Sequence, residues 1–438
     1  MILAVGRKER AIDKKEFEGL CEKAISKCQL EGKRILAIIP DSTRTVPMPV
    51  LFKALCNSLS QEAKKLDFLI ALGTHSPMND QEIDRHLGIN KEERKGPKNV
   101  EIFNHRWNSQ KELRKIGLIP REEMRKLSGS LIDKDVPVLI NKRIFDYDQL
   151  LLIGPVFPHE VVGFSGGYKY FFPGISGPEM VNLSHWLGAL LTNPKINGIE
   201  HNPVRELINR AASFVTIPSI SFCLVMRKNR VQGLYVGNPI EAQEKAAGLS
   251  KELNIVHKKR QFHTVLSTAP QIYKELWTGG KCMYKLEPVV EDGGRLIIYA
   301  PHIKEISSTH GKLIEEVGYH LRDYFLRQWD RFKNYPGAVL AHSTHVKGIG
   351  TYKEGVEKPR IEVVLATGIP KKVCKHINLG YMNPKEIDPE EYAEREEEGI
   401  LLVRGAGETL YRLADGSLPD IDRLYEIEGK GTEGQDTQ

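Results

Sequence analysis

Three short segments of this 438-residue chain carry side chains that can hold, polarise or deprotonate a small organic acid. The first is Asp41-Ser42-Thr43-Arg44-Thr45, where a guanidinium can grip a carboxylate with two parallel hydrogen bonds and the carboxylate and hydroxyls beside it can orient neighbours or bind a ribose. Asp, Ser and Thr are also ordinary helix N-caps, and an arginine next to them can be a plain surface ion pair. The second, Gly73-Thr74-His75-Ser76-Pro77, supplies an imidazole, which titrates near neutral pH and serves as general acid or base. The third, Pro158-His159-Glu160, supplies another. One loop histidine is usually structural, but two in corresponding places can face opposite sides of one substrate.

A glycine-rich stretch follows at once, Gly163-Phe164-Ser165-Gly166-Gly167-Tyr168-Lys169, whose backbone amides can approach a phosphate and whose lysine offers charge or covalent attachment. Glycine clusters also form plain turns. The stretch matches G-x-S-x-G, but a hydrolase nucleophile elbow needs a helix directly after it. Here Tyr170-Phe171-Phe172-Pro173-Gly174 opposes a helix, so the match is read as chance and Ser165 is not read as a nucleophile. Further on, His185 in Asn182-Leu183-Ser184-His185-Trp186 sits in a helical pattern and can serve as a metal ligand, or simply pack beside the tryptophan.

The elements around these segments are those of an α/β protein. Asp13 with Glu16 reads as a capping box, and Phe17, Leu20, Cys21, Ala24, Ile25 and Cys28 recur at helical spacing. Apolar runs over 34–39, 66–72 and 150–156 read as buried parallel strands, with a helix near 50–59, and each run ends in one of the polar loops above. Ligands of open α/β sheets sit beyond the carboxyl ends of the strands, which is where these loops fall. The second half repeats the alternation: a strand at 264–266, a helix near 271–277, Asp292-Gly293-Gly294 before a strand at 296–300, an amphipathic helix marked by Leu321, Phe325, Trp329 and Phe332, and buried strands at 338–341 and 361–366. The expectation is two α/β domains with mainly parallel sheets and a site in the cleft between them: 1–257, completed by 386–438, and 258–385.

Composition narrows the class. Apolar residues at 40% and charged residues at 27% are globular values, and a formal charge of +6 with interleaved signs gives no stripe for nucleic acid. The acidic run 386–398 reads as a solvated face and the polar tail 429–438 as a frayed terminus. Neither a signal-peptide pattern nor an apolar stretch of about 20 residues is present, so a cytoplasmic protein without a membrane partner is expected. The 6 cysteines lie apart without a CxxC pair and read as reduced and mostly buried.

The run from His159 to Lys169, then Pro173-Gly174-Ile175 and His185, together with Asp41-x-Thr43-Arg44 and Gly73-Thr74-His75 upstream, resembles the nickel-dependent lactate racemase family, over the N-terminal half above all. In the second half the likeness rests on the α/β pattern, Tyr273 and Ile377-Asn378-Leu379-Gly380-Tyr381. The resemblance implies a nickel-pincer nucleotide, a pyridinium-3,5-bisthiocarboxylic acid mononucleotide carrying nickel, tethered covalently through Lys169, with His185 as the protein's metal ligand. It implies His75 and His159 as alternating acid and base, Arg44 on the substrate carboxylate, and Asp41, Thr43, Ser165, Gly166 and Gly167 around the cofactor. The partners it implies are a small 2-hydroxy acid and the enzymes that build the cofactor.

One departure bears on the substrate. Where members acting on lactate follow the tyrosine with a glutamine and then a lysine that help bind substrate, this chain has Lys274 and Trp277. That points away from lactate to a bulkier or polyhydroxylated acid, an aldonate such as gluconate, with Tyr273, Lys274 and Trp277 on the substrate side. Two other readings stand beside this one. A metal-dependent hydrolase would use His75, His159 and His185 on zinc, and a noncatalytic protein would bind the nucleotide cofactor or a sugar acid.

Overall fold

A computed structural model describes residues 1–59, 62–90 and 100–432. The chain forms two compact units, the first of 1–184 with 198–254 and the second of 185–197 with 255–438. Both are mixed α/β with mainly parallel sheets.

The first unit is built on a seven-stranded sheet. Its strands in chain order are β1 (Leu3–Gly6), β2 (Arg34–Pro40), β3 (Lys65–Ala71), β4 (Ile102–Asn104), β5 (Gln149–Pro155), β6 (Ser219–Arg227) and β7 (Arg230–Gly237). They lie in the order β1-β7-β6-β5-β2-β3-β4. From β6 to β4 the neighbours are parallel, while β7 and β1 add antiparallel at one edge. Ile35 through Ile39 are 0% exposed, so both faces of β2 are covered and neither is polar. Phe17, Cys21 and Ile25 of the helix Lys14–Ser26 and Leu51 and Leu55 of the helix Met48–Leu59 pack on Ile35, Ala37, Phe68 and Ile70 in one core. Each such side chain contributes about 1.5–3 kcal/mol by leaving water.

At the start of the first helix Asp13 accepts the Glu16 amide at 2.9 Å, but the Glu16 carboxylate pairs with Arg7 and Arg10, so half of the expected capping box forms. The chain runs from β2 outward to β3 and β4, then returns to place β5 on the other side of β2. The strand order therefore reverses between β2 and β5, which opens a crevice at their carboxyl ends.

The second unit holds a five-stranded sheet of β8 (Phe262–Thr268), β9 (Val290–Ala300), β10 (Glu362–Thr367), β11 (Gly380–Tyr381) and β12 (Ile400–Val403), in the order β11-β10-β9-β8-β12 with every pair parallel. The segment 386–438 is expected from the sequence to complete the first domain, but its described residues, 386–432, group with the second unit. β12 pairs with β8, Thr264 opposite Ile400, and Leu410–Leu413 pairs with Ile255–Lys258. A last helix, Ile421–Thr432, takes in part of the expected tail, whose residues 433–438 lie outside the described residues. Asp292-Gly293-Gly294 lies within β9 rather than before it, and the strand takes a register irregularity there.

Three elements of this unit differ from the sequence reading. Residues 338–341, expected as a strand, lie in the helix Gly337–Lys347, where Ala338 through Val346 are all buried. A helix buried on every side shows no apolar stripe, so its apolar run reads like a strand. Residues 271–275 are not helical; a turn closes with Tyr273 N–H on Pro270 O, and only Leu276–Gly279 is helix. The amides of Leu276 and Trp277 bond the carbonyls of Glu305 and Ile306, a pairing that local pattern does not reveal. The amphipathic stretch around Phe325 is two short helices, Arg322–Arg327 and Trp329–Phe332. All six cysteines are free and buried, and among the described residues no helix is long and apolar enough to cross a membrane.

Candidate active site

In the first unit the three polar loops leave the carboxyl ends of three adjacent parallel strands, β5, β2 and β3, and so flank the switch point. Asp41 follows β2 and is 5% exposed. One of its oxygens accepts the Thr43 amide at 2.9 Å and meets the Thr43 hydroxyl at 2.5 Å, and the other is 2.5 Å from His75 Nδ1. Arg44 donates to the Thr43 hydroxyl at 3.1 Å. Arg44, Thr43, Asp41 and His75 thus form one continuous chain of hydrogen bonds. Burial alone would push the Asp41 carboxyl up, but His75, Arg44 and Thr43 outweigh it and hold the group well below the usual carboxylate range. Asp41 is therefore an anion across physiological pH, and an anion at Nδ1 calls for a proton there, leaving Nε2 as the basic nitrogen of His75.

His159 closes the strand Pro158–His159, which pairs antiparallel with Gly163–Phe164 in a two-rung hairpin. It is 4% exposed, accepts the Val161 amide at Nδ1 at 3.1 Å, and has Glu160 Oε2 3.6 Å from the same nitrogen.

The glycine stretch is fastened from several sides. Ser165 Oγ donates to Pro155 O at 2.8 Å and accepts the Phe157 amide at 3.0 Å, so its hydroxyl ties the stretch to the end of β5. A turn of 3-10 helix, Gly167–Tyr170, follows, and the straight strand-to-helix elbow of a hydrolase is not formed. Gly166 has φ +84 and a Cβ there would stand 2.5 Å from Val156 Cγ2; Gly167 has φ +58 and its Cβ would meet Pro239 O and Gln243 Cβ at 2.9 Å. Neither position admits a side chain without displacing its neighbours. The amide of Gly73, at the root of the His75 loop, bonds Gly174 O at 3.0 Å and joins that loop to the same stretch.

Lys169, on that turn, is held to a pKa of about 7, first by burial and then by the charges of Arg44 and Arg205, against the opposing pull of Glu160 and Asp41. A lysine so perturbed carries a sizeable neutral fraction at physiological pH and is a competent nucleophile. The charges that act on Lys169 include residues of both the Asp41 and the His159 loops.

Arg205 had no place in the sequence reading. It lies 5% exposed on the helix Pro203–Ala212 among Val204, Leu207, Ile208 and Ala211, and donates to the carbonyls of Gly166, at 3.3 Å, and Phe164. A charged residue on the apolar face of an amphipathic helix was the available signal.

The other predicted residues lie in the second unit. His185 is partly exposed on the helix Pro178–Leu191, which the two units divide after Ser184, and the next residue, Trp186, stacks on Trp329. Tyr273 is 2% exposed with Lys281 Nζ 5.0 Å from its ring, and Lys274 is exposed. Trp277 stacks on His342 with centroids 4.1 Å apart and lies 4.5 Å from His310. Among the described residues no group of three or more His, Cys, Asp or Glu side chains is gathered to hold a metal ion.

Residues 4–197 match the family model described as the lactate racemase N-terminal domain. The lactate racemase of Thermoanaerobacterium thermosaccharolyticum is 25% identical over 287 residues, 64% of this chain and 62% of that one, and the lactate racemase of Lactiplantibacillus plantarum is 26% identical over 276 residues, 61% and 60%. The chain thus matches less than two thirds of the length of these relatives. A crystal structure of a Thermotoga maritima protein superposes with a TM-score of 0.84 at 32% identity over 92% of this chain and 98% of that one. The lactate racemase apoprotein of T. thermosaccharolyticum shares the fold, with a TM-score of 0.68 at 18% identity and 94% of each chain covered. By its family model and these relatives, the N-terminal part of the chain, residues 4–197, belongs to the lactate racemase family.

Proposed function

We propose that this protein is an isomerase that inverts C2 of a 2-hydroxy acid, with a nickel-pincer nucleotide tethered through Lys169. The observation that carries the reading is the hydrogen-bonded chain from Arg44 through Thr43 and Asp41 to His75, set at the switch point beside a lysine held to a pKa of about 7. It joins a carboxylate grip, an oriented imidazole and a nucleophilic amine.

The residues present fit such a cofactor. Lys169 supplies the amine for the tether, and Gly166 and Gly167 let the turn that carries it pack tightly against Val156, Pro239 and Gln243. A group that brings its own sulfur and carbon donors needs one imidazole from the protein, the role of His185, and not a cluster of protein ligands. When bound, the cofactor supplies an acceptor and donor of hydride for C2.

The rest falls to the chain. Arg44 holds the substrate carboxylate and so fixes which face of C2 is presented. His75 takes the hydroxyl proton at Nε2 while Asp41 stabilises the imidazolium through Nδ1. His159 acts on the hydroxyl oxygen of the opposite stereoisomer, whose position differs enough to need its own acid and base. Trp277 in place of a lysine favours a longer, polyhydroxylated acid such as gluconate over lactate. The setting is the cytoplasm, together with the enzymes that make the cofactor.

The deciding experiment is intact-protein mass spectrometry with nickel analysis on protein produced alongside those enzymes, followed by peptide mapping. A nucleotide-sized adduct on Lys169 with nickel, and turnover of a 2-hydroxy acid, is the expected result. An unmodified Lys169 under a working cofactor supply would overturn the reading.

A further inference from the structure

The two histidines are not equivalent, and the residue that makes the difference has no assigned role. His75 presents Nδ1 to the Asp41 carboxylate at 2.5 Å, an acceptor, so that nitrogen carries the proton. His159 presents Nδ1 to the backbone amide of Val161 at 3.1 Å, a donor, so that nitrogen is bare and the proton of the neutral ring is on Nε2. The arrangement is built in: Glu160, Val161 and Val162 form the short connection of the hairpin whose rungs are Pro158 with Phe164 and His159 with Gly163. Val161 N–H is therefore carried under the ring by the backbone itself.

A ring whose Nε2 already holds a proton cannot take another there. For His159 to be a neutral base at Nε2 its one ring proton must sit on Nδ1 instead, and to give a proton from Nε2 as an imidazolium it must hold a second proton on Nδ1; in both cases the Val161 amide then faces Nδ1 as a second donor. An acceptor stands within reach. Glu160 Oε2 lies 3.6 Å from that nitrogen, and its side chain is 12% exposed, partly shielded from water. A shift of under about 1 Å brings it to the length of a charge-assisted hydrogen bond. Resting on the reading of His75 and His159 as the acid and base, we infer that Glu160 is the positioning residue of His159, the counterpart of Asp41 at His75, and that the resting protein holds its two histidines in opposite tautomers. His75 is ready to accept a proton at Nε2; His159 is a donor there until Glu160 takes over Nδ1.

The test begins without cofactor or substrate. Proton–nitrogen correlation spectra of the full chain with isotope-labelled histidine, assigned with His75→Gln and His159→Gln, report which ring nitrogen is protonated at neutral pH. His75 is expected with its proton on Nδ1 and His159 with its proton on Nε2; the same tautomer in both rings, or His159 protonated on Nδ1, would overturn the assignment. On acidification the doubly protonated His159 signal should appear about one pH unit lower in Glu160→Gln than in the parent, with His75 unchanged. An unaltered His159 would remove Glu160 from the role. In cofactor-loaded protein Glu160→Gln should lower kcat about 10- to 100-fold with KM little changed, and Glu160→Asp should restore part of it. A matching loss of unfolding midpoint in place of that split would mark Glu160 as structural. Failure of the loaded parent to turn over any 2-hydroxy acid would sink the isomerase reading, while the spectra would still decide the tautomers.

Discussion

The candidate residues of the first unit and those of the second are held by different physics. In the first, Arg44, Thr43, Asp41 and His75 are joined by directed hydrogen bonds, with burial and charge shifting the protonation of Asp41 and Lys169. In the second, Tyr273 is buried under packing and Trp277 is clasped by imidazole rings. Polar networks specify an atom's position and proton. Ring stacking specifies shape and leaves more room for change. In this reading the chemistry sits where geometry tolerates little, and the choice of substrate where residues can be exchanged.

The sharpest way to break the comparison is at Lys169. Lys169→Ala is expected to abolish the covalent adduct entirely, read by intact mass, whereas no change at Trp277 should touch attachment. An adduct persisting in Lys169→Ala would move the tether elsewhere. Next in size is His75→Gln, which should keep the adduct and lower kcat about 10²- to 10⁴-fold, the usual range for a general base; steady-state rates on loaded protein decide it.

Gly166→Ala tests whether the glycine stretch tolerates as little as its geometry implies. The backbone at Gly166, φ 84 and ψ 178, lies in a region essentially confined to glycine and costs an alanine about 1–3 kcal/mol, and overpacking against Val156 costs about 1–3 kcal/mol more, a loss visible in the urea midpoint. Trp277→Lys should be milder, leaving kcat on the native substrate reduced but shifting the preference toward lactate about 10-fold, of the order one hydrogen-bonded contact provides; equal ratios for a long and a short acid would detach Trp277 from specificity.

The smallest effect concerns Lys169 in the unmodified chain. Its folded pKa of about 7 lies below the ordinary value of 10.5, so the neutral amine grows as pH rises through 7, far earlier than at surface lysines. Carbamylation by cyanate, mapped by peptide mass, should rise at Lys169 with that midpoint. The sign for stability follows: at pH values below about 7 the unfolded and folded states both hold the proton and the folded state bears the full penalty, which is relieved as pH rises toward 10.5.

Much of the first unit was legible from residues alone because its signals are local. A capping aspartate sits at Asp13, and apolar runs such as 34–39 and 150–156 give way to polar loops, so the loops at the strand ends could be picked out by type and spacing. The helix Gly337–Lys347 was misread because a fully buried element carries no polar face to set its period. Arg205 was overlooked because its partners, the carbonyls of Gly166 and Phe164, are distant in sequence.

By itself the sequence determined which chemistry the chain can offer, since a guanidinium, two imidazoles, a carboxylate and an amine follow from residue identity and their order along β-loop units. Only the tertiary structure decided how those groups are poised. The strand reversal between β2 and β5 sets their loops side by side, and burial with neighbouring charge lowers the proton affinity of Lys169. A carboxylate at one histidine and a backbone amide at the other give the two rings opposite tautomers. Protonation depends on what faces a group in space, and no spacing of residues encodes that.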